Sequence, residues 1–431
     1  MKKIISIIMC FPFILFGQQL NFDNSISISS GADGFGRPRI DLTNDGPIII
    51  WRKDSTPKVL RASKWNGSSF SQPYDICTSD VLPSSWDGPE MATKGDTIYV
   101  VFTSTATTQS SIMLLKSFDG GTSFSDTIRV SENNPSHKFR MGNIKIDNNG
   151  NPIVSYMQYL LNWSEPKQIV NRSTDYGNSF LGGVNASQSA PGEPCDCCKA
   201  SLVLDNDDIY LLFRNNNSNE RNSYISKSTD GGLTFNLVSD LDDYDWIVNG
   251  CPATGPLGMV NSDSLLIVRR SGATGNDEIV INNISKVDLN HSYTRNIDPV
   301  LGKIQDYPDL TLNGDTIFIA WQDNRNNIPD CFLSYSTNGV ENLSLGIKFT
   351  DSLITGPKLN PDLVFKNGLI HLVYNNNVAN SIEYIKGFFG QLSTVQETSI
   401  ENNMNFDFDI LGRKNNVPFN KLVIKKRPTN K

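Results

Sequence analysis

Short apolar runs recur along the chain, each followed by a few polar turn residues and then by a β-branched run that ends in an aromatic or aliphatic residue. Pro38–Trp51 (PRIDLTNDGPIIIW), Pro89–Phe102 (PEMATKGDTIYVVF), Gly142–Tyr156 (GNIKIDNNGNPIVSY) and Ala200–Phe213 (ASLVLDNDDIYLLF) share this plan. So do Gly255–Val268 (GPLGMVNSDSLLIV), Pro308–Trp321 (PDLTLNGDTIFIAW) and Pro361–Tyr374 (PDLVFKNGLIHLVY). Tight Asn, Asp and Gly turns between such runs predict β-hairpins. No segment sustains a 3.6-residue period, so little helix is expected.

The hairpins repeat every 51 to 58 residues, long enough for four strands per unit. A third strand and often a fourth follow each hairpin, as in SIMLLKSFDGGTSFSDTIRVSE and NSYISKSTDGGLTFNLVSD. Four antiparallel strands repeated around an axis predict an all-β chain folded as a β-propeller. Seven hairpins imply seven blades, with six blades plus an accessory hairpin as the alternative. The seventh unit stops after SIEYIKG, and Asn21–Gly31 (NFDNSISISSG) resembles the fourth strand of an earlier unit. An N-terminal strand closing the last blade would leave no free sheet edge. The propeller is expected over residues 18–395.

Three octets stand in phase between third and fourth strands: SFDGGTSF (Ser117–Phe124), STDYGNSF (Ser173–Phe180) and STDGGLTF (Ser228–Phe235). They match Ser-x-Asp-x-Gly-x-Ser/Thr-aromatic and resemble the Asp box, or BNR repeat, of sialidase-superfamily propellers. Ser63–Phe70 keeps the frame but carries Trp65 in place of the acid, and Ser336–Leu343 is degenerate. The residues Ser117, Asp119, Gly121, Ser173, Asp175, Gly177, Ser228, Asp230 and Gly232 are read as turn fasteners. An Asp side chain accepts hydrogen bonds from its own turn, and Gly adopts backbone angles other residues avoid.

The ends of the chain read differently. Lys2 and Lys3 precede an apolar run from Ile4 to Phe16, and Gly17 supplies a small residue. This is the pattern of a secretory signal over residues 1–17, with Cys10 inside it. No second apolar stretch of spanning length follows. The tail Phe406–Lys431, with DILGRK and then KLVIKK, resembles the end of a type IX secretion sorting domain. Residues 396–431 are therefore expected to be a sorting element, and that resemblance implies export and attachment at the cell surface. The net charge of −7 lacks the basic face that nucleic-acid binding requires. A monomer is expected, with no cofactor.

The sialidase resemblance implies a site at the mouth of the central channel, where inner strands begin. It implies an arginine triad for a substrate carboxylate, a Tyr nucleophile assisted by a Glu, and an Asp acid/base. Arginine suits a carboxylate because its planar fork binds both oxygens. Carried onto this chain, Arg39 in RPRIDL stands where the family has Arg-Ile-Pro, with Asp41 replacing the proline. Arg52 and Asp54 follow the second strand in IIIWRKDS. Arg214, Arg269 and Arg270 stand at later strand ends, and Tyr307 in QDYPDL begins a late inner strand. The implied roles are nucleophile for Tyr307, acid/base for Asp54 and substrate binding for the five arginines. The assisting Glu has no counterpart in this reading.

Cysteines supply the remaining chemistry. Exported proteins meet oxidising conditions, so disulfides are the default reading. EPCDCCKAS (Glu193–Ser201) and WIVNGCPATGP (Trp246–Pro256) put Cys195, Cys197, Cys198 and Cys251 just before the inner strands of adjacent units. Two disulfides joining those units are expected. The open alternative is a thiolate metal site, although Cys-x-Cys-Cys is not the usual two-residue zinc spacing. These segments also resemble a subgroup of Asp-box proteins that pair Cys-x-Cys-Cys with Gly-Cys-Pro. Cys77 and Cys331 are expected to be unpaired and buried. His137, His291 and His371 are scattered and predict no metal site.

Two functions follow. The first is an exported glycoside hydrolase of the exo-sialidase type. The second is a non-catalytic surface module that binds a glycan or glycoprotein at the channel mouth. A surface-layer component comes third.

Overall fold

The run Ile48-Ile49-Ile50-Trp51 is fully buried although a strand points successive side chains to opposite faces. Both faces must therefore be covered, and they are. Ile48 and Ile50 pack with Ile98, Val100 and Phe102 of the next repeat. Ile49 and Trp51 pack with Val373, Ile382 and Tyr384 of the last repeat. The same division holds one unit on, where Tyr99 and Val101 join Phe139, Ile144 and Val154. Apolar clusters of this kind fill every junction between neighbouring units. A continuous apolar run is what a strand sandwiched between two sheets requires.

The computed structural model describes residues 19–31, 36–53, 56–77, 80–82, 87–105, 109–351 and 355–390. The signal-like segment, the sorting-like tail and Asp54 lie outside them. The residues Leu20–Phe389 form one compact unit. It is a seven-bladed β-propeller of antiparallel four-stranded sheets. The innermost strands, in blade order, are Arg39–Leu42, Glu90–Lys94, His137–Ile146, Ser201–Asp205, Leu257–Asn261, Gln305–Asn313 and Lys358–Lys366. Each touches the next, and the seventh touches the first, closing a ring around the channel. Among the described residues there is no α-helix, only a 3-10 turn at Val340–Asn342.

Closure is made by the chain's beginning. Gln19–Phe22 and Ile26–Ser27 pair with Ser381–Gly390, the third strand of blade 7. Leu20 enters the cluster between blades 6 and 7, and Ile28 that between blades 7 and 1. A ring so closed leaves only the short outer edges of the blades unpaired.

The three octets show why their residue types recur. Ser228 Oγ donates to Asp230 Oδ1 at 2.6 Å and accepts from Gly232 N at 2.8 Å. Thr234 donates to Asp230 from both N and Oγ1, at 3.0 and 2.7 Å. The Ser117/Asp119/Ser123 and Ser173/Asp175/Ser179 sets repeat the pattern. Hydrogen bonds from the Ser or Thr groups hold Asp119 and Asp175 down to about 2, and Asp230 lower still. Gly121 and Gly177 have φ of 81° and 75°, and a Cβ there would strike Ile48 and Leu114 of the preceding blade. A basic residue from the preceding blade reaches each octet. Lys64 donates to Thr122 at 2.6 Å, Lys116 to Tyr176 O at 3.2 Å, and Arg172 to Gly231 O at 2.8 Å. The octets thus fasten blade to blade on the outer rim, away from the channel mouth.

Candidate functional site

Every inner strand enters the ring through a small or cyclic residue, and most of the positions on either side of it face the channel. The flanking pairs are Arg37/Arg39, Gly88/Glu90, Met141/Asn143, Lys199/Ser201, Gly255/Leu257, Tyr307/Asp309 and Asn360/Asp362. Of these, all but Gly88 and Met141 line a cavity of about 250 Å³. The leading residue is turned inward by an irregular backbone. Arg37, Tyr307 and Asn360 have φ of 41°, 48° and 52°, whereas Met141, at 61°, packs against Met157 and Tyr159 instead. Strand register shifts at the same places, between Arg140 and Asn143, Asp306 and Asp309, and Leu359 and Asp362. Such bulges re-aim side chains, and non-glycine residues hold left-handed angles only where the surroundings impose them.

Three cations and a carboxylate dominate the mouth. Arg39 donates to Glu90 from Nε and Nη2, at 2.9 and 2.8 Å, and lies 3.4 Å from Asp362. Lys199 reaches the same Glu90 oxygen at 2.8 Å and donates to Gly88 O at 2.9 Å. Burial alone would raise the Glu90 carboxyl, but Arg39 and Lys199 hold it at about 2. Burial pushes Asp309 up and Asp362 well up, each against the pull of Arg39. These two also staple the ring, since Asp362 accepts from Ile40 N and Asp309 from Leu363 N.

Tyr307 stands in the same wall. The Arg37 guanidinium lies 4.5 Å from its ring centroid. Burial raises the Tyr307 hydroxyl above its ordinary value of 10, partly opposed by Arg37. Among the described residues no carboxylate accepts a hydrogen bond from that hydroxyl. Asp306 beside it bonds the Tyr307 N–H and pairs with Arg270 at 2.8 Å.

The arginines expected at the site divide. Arg39 lines the cavity. Arg270 lies one step outside it, paired with Asp306 and Asp277. Arg52 is buried at the end of its strand and donates to Leu82 O at 3.0 Å. Arg214 is fully buried, its donors spent on the carbonyls of Thr254, Arg221 and Arg270. Arg269 is buried between blades 4 and 5 on Asp242, Asn282 and Leu241 O. The structure therefore brings Arg39 and Tyr307 together and leaves Arg52, Arg214 and Arg269 out of the cavity. It adds Arg37, Glu90, Lys199, Asp309 and Asp362. Stacking the seven strand entries against one another would have found these five, because they occupy the same two repeat positions.

The cysteine reading needs correction. Cys195, Cys197, Cys198 and Cys251 do converge, but only Cys197 and Cys251 are bonded, with Cα atoms 6.5 Å apart. Cys195 and Cys198 are buried thiols whose sulfurs lie 3.2 Å apart. Their loop leaves no second pair of cysteines to bridge the blades, so one disulfide, not two, joins blades 4 and 5. The Cys198 thiol donating to Cys195 holds Cys195 down to about 7, with Arg221 and Arg214 assisting against burial. Burial pushes Cys198 up. Cys77 and Cys331 are buried and unbonded, as expected.

No family model and no curated protein matches the chain. Solved structures do. The chain is similar to the Trypanosoma rangeli sialidase bound to 2,3-difluoro-KDN, with 12% identity and a TM-score of 0.50, covering 86% of this chain and 58% of that one. It is similar to the NanB sialidase of Streptococcus pneumoniae at 12% identity and a TM-score of 0.50, over 73% of this chain and 68% of that one. It is also similar to the α-L-arabinanase of Penicillium chrysogenum bound to arabinobiose, at 9% identity and a TM-score of 0.51, over 86% and 98%. The chain thus spans less than two thirds of the trypanosomal enzyme's length. At these identities the likeness establishes the propeller fold alone.

Proposed function

We propose that this propeller recognises an acidic glycan at its channel mouth. The observation that carries the reading is the convergence of Arg37, Arg39 and Lys199 on one cavity, which Glu90, Asp41, Asp309 and Asp362 also line. Burial disfavours the charged forms of Asp41, Asp309 and Asp362, which leaves the guanidiniums of Arg37 and Arg39 as the groups best suited to an anionic ligand. A partly enclosed site strengthens a guanidinium–carboxylate contact relative to water. The volume suits a single sugar ring rather than a long segment. The sialidases and arabinanase that share the fold are glycan-directed, which supports the ligand class. In the same reading the protein is a monomer, exported by its leader and held at the cell surface by its tail.

Hydrolysis of the exo-sialidase type is the second reading, favoured by Tyr307 on the cavity wall beneath Arg37. Arg37 stabilises a phenolate, and a tyrosine flanked by a base can attack an anomeric carbon. Two features place binding first. Among the described residues no carboxylate accepts from the Tyr307 hydroxyl, and Glu90 is committed to two cations. Asp54, the expected acid/base, lies outside the described residues.

One experiment separates the readings. Purified protein is applied to an array of carboxylated and neutral glycans and then incubated with mixed α-linked sialosides. Selective retention of carboxylated glycans, weakened in Arg37→Ala, is expected. Equal retention of neutral glycans would overturn the acidic-glycan reading. Release of free sialic acid that disappears in Tyr307→Phe would promote hydrolysis to first place.

A further inference from the structure

The four sulfurs of Cys195, Cys197, Cys198 and Cys251 lie within 4.8 Å of one another. Cys195 and Cys198 are three residues apart, a ligand spacing common in tetrahedral thiolate sites. Four thiolates around zinc, each about 2.3 Å from the metal, stand about 3.8 Å from one another. The recorded separations of 3.2 Å for Cys195–Cys198 and 3.6 Å for Cys195–Cys197 approach that value.

A second observation is electrostatic. Two buried guanidiniums flank the cluster, and among the described residues neither forms an ion pair. Arg214 is fully buried, bonded only to carbonyls, and stacked 4.8 Å from Trp246. Arg221 places Nη1 3.5 Å from Cys195 Sγ, and its Nε is buried without a partner. Buried cations are costly without an anion nearby. The Cys197–Cys251 disulfide supplies none, and Cys195 offers at most one thiolate to the two arginines. A divalent ion held by four thiolates carries a net charge of −2, which these two arginines would balance.

We propose that Cys195, Cys197, Cys198 and Cys251 form a redox-gated site for one tetrahedral, thiophilic divalent cation of the zinc class. The Cys197–Cys251 bond is the oxidised, closed form. A dithiol opens it: one thiolate attacks Cys251 Sγ and displaces the Cys197 thiolate. The second thiol then attacks the mixed disulfide, leaving two protein thiols and an oxidised dithiol. Metal entry replaces the protons of the four thiols. Lys199, the next residue after Cys198, contacts Glu90 in the disulfide form. Gly255 lies against the Lys199 carbonyl so closely that a Cβ could not fit. The sulfur cluster thus adjoins, through the backbone, the residue whose ammonium lines the cavity.

The test uses the purified chain, reduced with dithiothreitol, freed of reductant without air and titrated with Co²⁺. One equivalent should bind with the thiolate-to-cobalt absorption of a four-sulfur site, and Zn²⁺ should displace it. Cys198→Ser should weaken binding at least about tenfold. The Cys77→Ser/Cys331→Ser double variant should bind as the parent does. Circular dichroism establishes that each protein is folded. A folded, reduced chain with its thiols titratable that takes up no Co²⁺ overturns the proposal. So does uptake unchanged in a Cys195→Ser/Cys198→Ser double variant, or a disulfide that resists reduction in the folded chain.

Discussion

Lys199 Nζ and Glu90 Oε1 meet at 2.8 Å although one residue enters blade 4 and the other blade 2. The lysine spans the channel mouth, and Arg39 of blade 1 shares the same carboxylate oxygen. One acid therefore holds three blades together at the place where a ligand would enter.

Removing that acid should be costly. Glu90→Gln leaves Arg39 and Lys199 close together without their shared anion, and breaking a buried pair typically costs about 3–5 kcal/mol. The side chains keep 11–15% exposure, so the lower end applies. Chemical denaturation at neutral pH should show the loss. Its pH dependence is defined as well. The folded carboxyl sits at about 2, below its ordinary 4.5. Its contribution is complete above 4.5 and is lost as pH falls toward 2. The stability gap between parent and Glu90→Gln should narrow over that window.

Arg37→Ala should weaken retention of a carboxylated glycan by about tenfold or more, the scale of one charge-assisted contact. Tyr307→Phe should leave that retention within about threefold, because the ring still supports Arg37 through its face. Isothermal titration of both variants with the best array ligand checks the pair of outcomes.

His371 provides a separate pH signature. It is buried in the junction beside Tyr384, 2.7 Å from the phenol oxygen, and burial lowers its value to about 4. The unfolded imidazole titrates near 6.5, so the folded state binds fewer protons between the two values. Stability is complete above 6.5 and declines as pH falls toward 4. His371→Asn should flatten thermal melting curves across that range, whereas Glu90→Gln should not.

Asp230→Ala removes the acceptor for Ser228, Leu233 and Thr234 at once. The melting temperature should drop by a few degrees, with the affinity of the mouth for glycan unchanged. A loss of binding at equal stability would contradict a purely structural octet.

The repeat was legible in the chain because blade formation is local. Alternating runs, short polar turns and two-sided burial act within about fifty residues, and the Asn21–Gly31 strand could be matched to an earlier unit. The octets were legible for the same reason, since every bond from Asp230 stays within its own turn. The cysteine convergence was also readable, because Cys195 and Cys251 precede inner strands of adjacent repeats.

Which arginine head faces which way was not legible. Arg214 and Arg269 end strands just as Arg52 does, and sequence position cannot distinguish a guanidinium buried on carbonyls from one facing the channel. Arg37 and Tyr307 are aimed inward by left-handed backbone angles and register shifts that the ring imposes. Glu90, Lys199 and Arg39 become one cluster only when the inner strands of blades 1, 2 and 4 close around an axis. The sequence alone determined the blade and its fasteners, because these depend on neighbours along the chain, whereas the choice of seven blades over six came from the structure. Tertiary closure decided the mouth, because its charges belong to six separate repeats and meet only across the channel.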